Sequence, residues 1–183
     1  MINIPNLLTL LRILLIPIIV GVFYAPIEDG NLIACGLFML AAFTDWLDGY
    51  LARKLDQSTP FGAFLDPVAD KITVAVALTM LVEVHAAWWL TLPAIVIIGR
   101  EIVISALREW MAEAGQRANV AVSYVGKVKT ALQMGSITLL LAFLPGSEYM
   151  WTGLVMLFAA AALTLWSMVV YLRAAWGTLT ESI

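Results

Sequence analysis

Four aspartates stand where an otherwise apolar chain has least use for charge: Asp45, Asp48, Asp66 and Asp70, in the stretch AAFTDWLDGYLARKLDQSTPFGAFLDPVADK. A charged side chain facing lipid costs roughly 2.5–3.5 kcal/mol even on the lenient insertion scale, so four would cost on the order of 10 kcal/mol. They must therefore face one another, a cation or water. Asp45, Asp48, Gly49, Ala52 and Arg53 fall on one face of a helix. Beyond a short turn, Gly62, Asp66, Ala69, Asp70 and Thr73 repeat that pattern on the next. If the two stripes of acids and small residues oppose each other, the carboxylates converge with little bulk between them.

Converging carboxylates repel unless a cation sits among them. Oxygen-only ligands suit hard divalent ions such as Mg²⁺, Mn²⁺ or Ca²⁺. Zinc suits the stretch less, because the single histidine (His85) and single cysteine (Cys35) lie far outside it. Two acids from each helix match a pair of ions, an arrangement that neutralises and orients phosphates during phosphoryl transfer. The plainer alternative pairs the acids with Arg53, Lys54 and Lys71, but ion pairing alone does not ask for Gly49, Ala52 and Gly62 on the same faces.

The elements that position these residues follow from composition. Of 183 residues 62% are hydrophobic and only 13% charged, with a mean hydropathy of +0.95. That places the chain among multi-span membrane proteins. Apolar runs and turn residues predict an all-α polytopic membrane protein, one domain over 1–183, with six transmembrane helices near 7–25, 31–54, 61–83, 88–112, 125–144 and 150–174. The fifth is the weakest, since Lys127 and Lys129 leave a clean apolar run only from about Ala131. The first run is too long for a cleavable signal peptide and follows no basic region, so none is expected. Loops are expected at Pro26–Gly30, Asp56–Pro60, around His85, at Gly115–Ser123 and at Pro145–Ser147. Trp88, Trp89, Tyr149 and Trp151 sit at span ends as interfacial anchors. Cys35 reads as a packing residue, and Gly135 as a point of close helix approach, in a dimer seam or within the chain.

Charge sorts by side. With the N-terminus inside, all ten Lys and Arg residues can be drawn toward one face, while the opposite loops hold Glu28, Asp29, Glu83, His85 and Glu148. The positive-inside rule makes the basic side cytosolic, with both termini and a cytosol-facing polar cavity at the aspartates. Arg100, Arg108, Lys127 and Lys129 are basic residues within or at the ends of spans, where a partner is required. Arg100 has Glu101 beside it, and the others can meet lipid headgroups. As a group, however, guanidinium forks and ammonium groups match a phosphate dianion.

The run Asp45-x2-Asp48-Gly49-x2-Ala52-Arg53-x8-Gly62-x3-Asp66-x3-Asp70 resembles the signature of the CDP-alcohol phosphotransferases, membrane enzymes that displace CMP from a CDP-linked group with an alcohol. The similarity runs from end to end, through Asn6-x2-Thr9-x2-Arg12, Arg100-Glu101 and Gly126-Lys127-Val128-Lys129-Thr130, and is greatest to bacterial members that use a phosphorylated acceptor. It implies transfer of the phosphatidyl group of CDP-diacylglycerol to sn-glycerol 3-phosphate, with two divalent ions (Mg²⁺ or Mn²⁺), a homodimer and the bacterial inner membrane. On this resemblance Asp45, Asp48, Asp66 and Asp70 hold the metals, and Asp66 and Asp70 form the catalytic pair. Asp70, the deepest acid of its stripe, is the base. Arg53 pairs with a nucleotide phosphate, Gly49, Ala52 and Gly62 leave room for the cytidine part, and Asn6, Thr9 and Arg12 complete the nucleotide side. Arg100, Arg108, Lys127 and Lys129 would hold glycerol phosphate. Two rivals stand beside this reading: an inositol phosphate acceptor, and a divalent-cation transporter, which also needs intramembrane carboxylates.

Overall fold

A computed structural model describes residues 3–55, 59–113, 124–143 and 145–181. The expected loop at Gly115–Ser123, with Arg117, and the turn residues 56–58 lie outside them. The described residues form six helices and no strand: α1 (Ile4–Tyr24), α2 (Gly30–Lys54), α3 (Pro60–His85), α4 (Trp88–Glu113), α5 (Tyr124–Ala142) and α6 (Glu148–Glu181). Local chemistry sets the ends. The Asn3 side chain caps α1 by accepting from the Asn6 N–H, with Pro5 in the first turn, and Thr59 caps α3 through the Gly62 N–H with Pro60 at its start. The α1–α2 hairpin closes so tightly that a Cβ on Gly30 would lie 2.8 Å from the Val22 carbonyl oxygen.

Among the described residues four helices are long and apolar enough to cross a membrane: Pro5–Tyr24, Gly30–Leu51, Trp88–Glu113 and Glu148–Arg173. Between 28% and 33% of the qualifying windows is buried. The remainder, including Leu14, Ile18, Ile95, Ile102 and Val155, presents large apolar side chains outward, as lipid requires. α3 and α5 fall outside that composition because they carry polar residues, most of them of the interior: Asp66, Asp70 and Lys71 on α3, Lys129 and Gln133 on α5, with the exposed Lys127. The predicted spans match the helices within a few residues except at α6, which runs to Glu181. At 34 residues it is about 50 Å long, well beyond a hydrocarbon layer of about 30 Å.

The bundle is divided along its length. Leu78, Leu81, Leu90, Ile97, Ile137, Leu140, Leu141 and Leu157 are wholly buried and fill the half at the α1–α2, α3–α4 and α5–α6 turns. Asn31 Nδ2 donates to the Ala142 carbonyl at 2.9 Å, tying α2 to the end of α5. Cys35 is buried there with its thiol 3.4 Å from the Thr138 carbonyl, a packing residue as expected. Gly135 faces Met156 of α6, where an added Cβ would meet the methyl at 2.7 Å, so its close approach lies within the chain. His85 touches the Leu81 carbonyl and the edge of Trp89, remote from the acids. The other half of the bundle is polar and open.

Candidate active site

α1 packs against both α2 and α3, which scarcely touch each other, and it brings a guanidinium between their acidic stripes. Arg12, 1% exposed, lies at 2.8 Å from Asp45, 2.5 Å from Asp48, 3.2 Å from Asp66 and 2.6 Å from Asp70. Its Nη1 alone meets three carboxylates, and its Nη2 holds Asp48. The Thr9 hydroxyl, one turn earlier on α1, stands 3.1 Å from the same Asp48 oxygen. Asp48 is 3% exposed, whereas the side chains of Asp45, Asp66 and Asp70 are 40–46% exposed. One acid is thus an internal anchor and three are open to approach.

The donor set fits a hard cation. Oxygens of Asp45, Asp48 and Asp66 all lie within 4.8 Å of one another, and a single guanidinium cannot balance four carboxylates. Asp48 Oδ1 is buried with no partner, as is Arg12 Nε. A buried carboxylate oxygen without a hydrogen-bond partner, in an all-oxygen cluster, fits a ligand set for a divalent ion. The expectation that the two acidic stripes converge holds, but with a wedge from α1 between them. Among the described residues it is Arg12, not Lys54 or Lys71, that pairs with the acids; the side chain of Arg53, also named in the ion-pairing alternative, lies outside them. Asn6, Thr9 and Arg12 recur at every third residue of an apolar helix, which marks a polar stripe on α1 but not what that stripe meets.

Asn6 is also buried, against the start of α3. Its Nδ2 donates to Thr59 Oγ1 at 3.0 Å, and a Cβ on Gly62 would collide with its Oδ1. Gly62 therefore leaves room for Asn6, while Gly49 has nothing within 4 Å of its Cβ position and is open. Ala52 and Arg53 continue α2 on the acidic face; their side chains are not among those described.

The acids form one wall of a cavity of about 1040 Å³, to which Arg12, Asp45 and Asp70 contribute. The opposite wall comes from α4, α5 and α6 and holds Arg100, Glu101, Arg108, Lys129, Gln133, Ser167 and Tyr171. Glu101 Oε1 takes both Arg100 (2.9 Å) and Lys129 (3.2 Å). Arg108 lies over the Tyr171 ring at 4.9 Å and donates to its hydroxyl at 2.5 Å. Arg100 reaches toward Ser167 at 3.4 Å and the Tyr171 ring at 5.9 Å. Of the four basic residues expected here, three line the cavity; Lys127 is exposed and is not among the lining residues. On α5 the inward face carries Lys129 and Gln133, four apart, and leaves Lys127 two positions off it. Ser167 and Tyr171, again four apart, are polar positions in the apolar α6 that a search for charged residues passes over.

The family model described as CDP-alcohol phosphatidyltransferase matches residues 2–172, the acidic helices and both cavity walls included. The chain belongs to that family. It is 54% identical over 179 residues to the CDP-diacylglycerol–glycerol-3-phosphate 3-phosphatidyltransferases of Salmonella choleraesuis (strain SC-B67) and Escherichia coli (strain K12), and 55% identical to that of Yersinia pestis (strain Pestoides F). Each match covers 98% of this chain and 98% of the relative. Membership of a CDP-alcohol phosphatidyltransferase family accounts for a cavity with carboxylates on one wall and cations on the other.

Proposed function

We propose that this CDP-alcohol phosphatidyltransferase moves the phosphatidyl group of CDP-diacylglycerol to sn-glycerol 3-phosphate, giving phosphatidylglycerophosphate and CMP. The observation that carries the proposal is the two-walled cavity: acids from α2 and α3 face a basic cluster from α4 and α5 across one space. Mg²⁺ or Mn²⁺, as two ions held by Asp45, Asp48, Asp66 and Asp70, would neutralise the pyrophosphate and stabilise departing CMP. Arg100, Arg108 and Lys129 take the phosphate of the acceptor and leave its far hydroxyl directed at the acids, and such positioning is worth several kcal/mol in barrier terms. Asp70, open to the cavity, removes the hydroxyl proton. The acceptor oxygen then bonds to the diacylglycerol-bearing phosphorus as its bond to the CMP oxygen breaks. Arg53 and the open surface over Gly49 serve the nucleotide; Thr9, Asn6 and Arg12 support that side by holding α1 on α2 and α3.

The site is proposed to face the cytosol of a bacterial inner membrane, where CMP and glycerol phosphate are soluble, and the chain to pair as a homodimer, a reading carried by family resemblance. Against a cation transporter stands the apolar half of the bundle, which among the described residues is filled by wholly buried leucines and isoleucines rather than by further acids. Membranes containing the chain and CDP-diacylglycerol, offered glycerol 3-phosphate, inositol phosphate or serine in parallel, test the acceptor. CMP release is expected with glycerol phosphate, and equal or greater release with inositol phosphate would overturn that assignment.

A further inference from the structure

Most polar groups in the cavity are already engaged. Thr73 donates to the Ala69 carbonyl, Thr130 to that of Gly126 and Ser167 to that of Thr164, while the Tyr171 hydroxyl accepts from Arg108. Gln133 differs. It is 6% exposed, lines the cavity, and its Oε1 is buried without a hydrogen-bond partner. The other unpartnered buried side-chain atoms among the described cavity residues, Arg12 Nε and Arg100 Nε, are donors. An acceptor atom beside a cluster that binds anions has no use for a phosphate dianion, which offers no proton. It asks for an O–H or N–H of the ligand, and leaving it unmet carries the full cost of desolvation.

We infer that Gln133 is a specificity-determining residue: its carboxamide oxygen accepts a hydrogen bond from the secondary hydroxyl of the acceptor, the hydroxyl that does not react. Gln133 stands one helical turn from Lys129 on the same face of α5. Lys129, Arg100, Gln133 and Asp70 all line the one cavity, so a molecule with its phosphate on Lys129 and Arg100 and its far end at Asp70 occupies a space that Gln133 borders, and we place Gln133 at the midpoint of that path. In a three-carbon acceptor, the group at that midpoint is the C2 hydroxyl. This inference rests on the proposed acceptor and deepens it.

The test uses the full chain in mixed micelles with CDP-diacylglycerol and Mg²⁺, reading CMP release with sn-glycerol 3-phosphate and with 3-hydroxypropyl phosphate, which lacks the C2 hydroxyl. Wild-type protein is expected to prefer glycerol 3-phosphate in kcat/KM. Gln133→Met, of similar volume, is expected to lower that preference about tenfold, the worth of one hydrogen bond. Gln133→Glu, which keeps an acceptor oxygen, is expected to retain the preference even if a second negative charge slows both substrates. A preference unchanged in Gln133→Met would overturn the inference while leaving the proposed function standing. If that variant does not fold, loss of the preference in Gln133→Glu does the same. Wild-type protein releasing no CMP with glycerol 3-phosphate would instead overturn the proposed acceptor, and the inference with it.

Discussion

At the scale of the residue, the site is a balance between one buried guanidinium and four acids. Arg12 and Asp48 form its closed part, and breaking a buried pair by removing one partner costs about 3–5 kcal/mol. The other three carboxylates are partly open and screened by water, so they add less. Arg12→Met is therefore expected to destabilise the protein by about 3 kcal/mol in chelator, and added Mg²⁺ is expected to restore much of the loss by supplying the missing positive charge. Thermal unfolding in detergent with EDTA or Mg²⁺ checks this; an equal loss in both would mean the acids hold no cation. Asp70 carries a different expectation. If it removes the acceptor proton, Asp70→Asn lowers turnover about 10²–10⁴-fold while CDP-diacylglycerol still binds. Loss of nucleotide binding, read by titration with the lipid, would show it to be chiefly a ligand.

At the scale of the element, α1 is the part that makes a site out of two helices. It seats on α3 through Asn6, Thr59 and Gly62, and on α2 through Thr9 and Asp48. Gly62→Ala puts a methyl where the Asn6 amide lies. Overpacking of that kind typically costs about 1–3 kcal/mol, and here it is expected to lower activity as well by moving Arg12 off the acids. Its unfolding midpoint and CMP release should fall together; a variant with both unchanged would show that the α1–α3 seat does not govern the site. Helix limits and the two acidic faces were legible in the sequence because apolar runs and helical spacing are local properties. The wedge was not. That Arg12 reaches all four acids depends on α1 crossing both partners, a tertiary relation that no spacing within α1 expresses. Glu101 was legible only as a neighbour of Arg100; its hold on Lys129, 28 residues away in sequence, needs α4 and α5 side by side. The expected sixth span of 150–174 stops short of the end of α6, which continues to Glu181.

At the scale of the whole molecule, the chain is an apolar half that seals and a polar half that reacts. The buried side chains of the sealed half come from all six helices, which fits the proposed reading that the acids serve chemistry at one face. The open half places cation-seeking oxygens opposite anion-seeking nitrogens, the arrangement needed to bring two phosphates together without mutual repulsion. Its 54% identity to phosphatidyltransferases over 98% of the chain fits that division of labour. The most direct test is CMP release from CDP-diacylglycerol by the purified chain, with and without sn-glycerol 3-phosphate and with and without EDTA. Release that needs both the acceptor and a divalent ion, and returns when Mg²⁺ or Mn²⁺ is added back, is the expected result; release that persists in chelator, or no release under any of these conditions, would contradict the account.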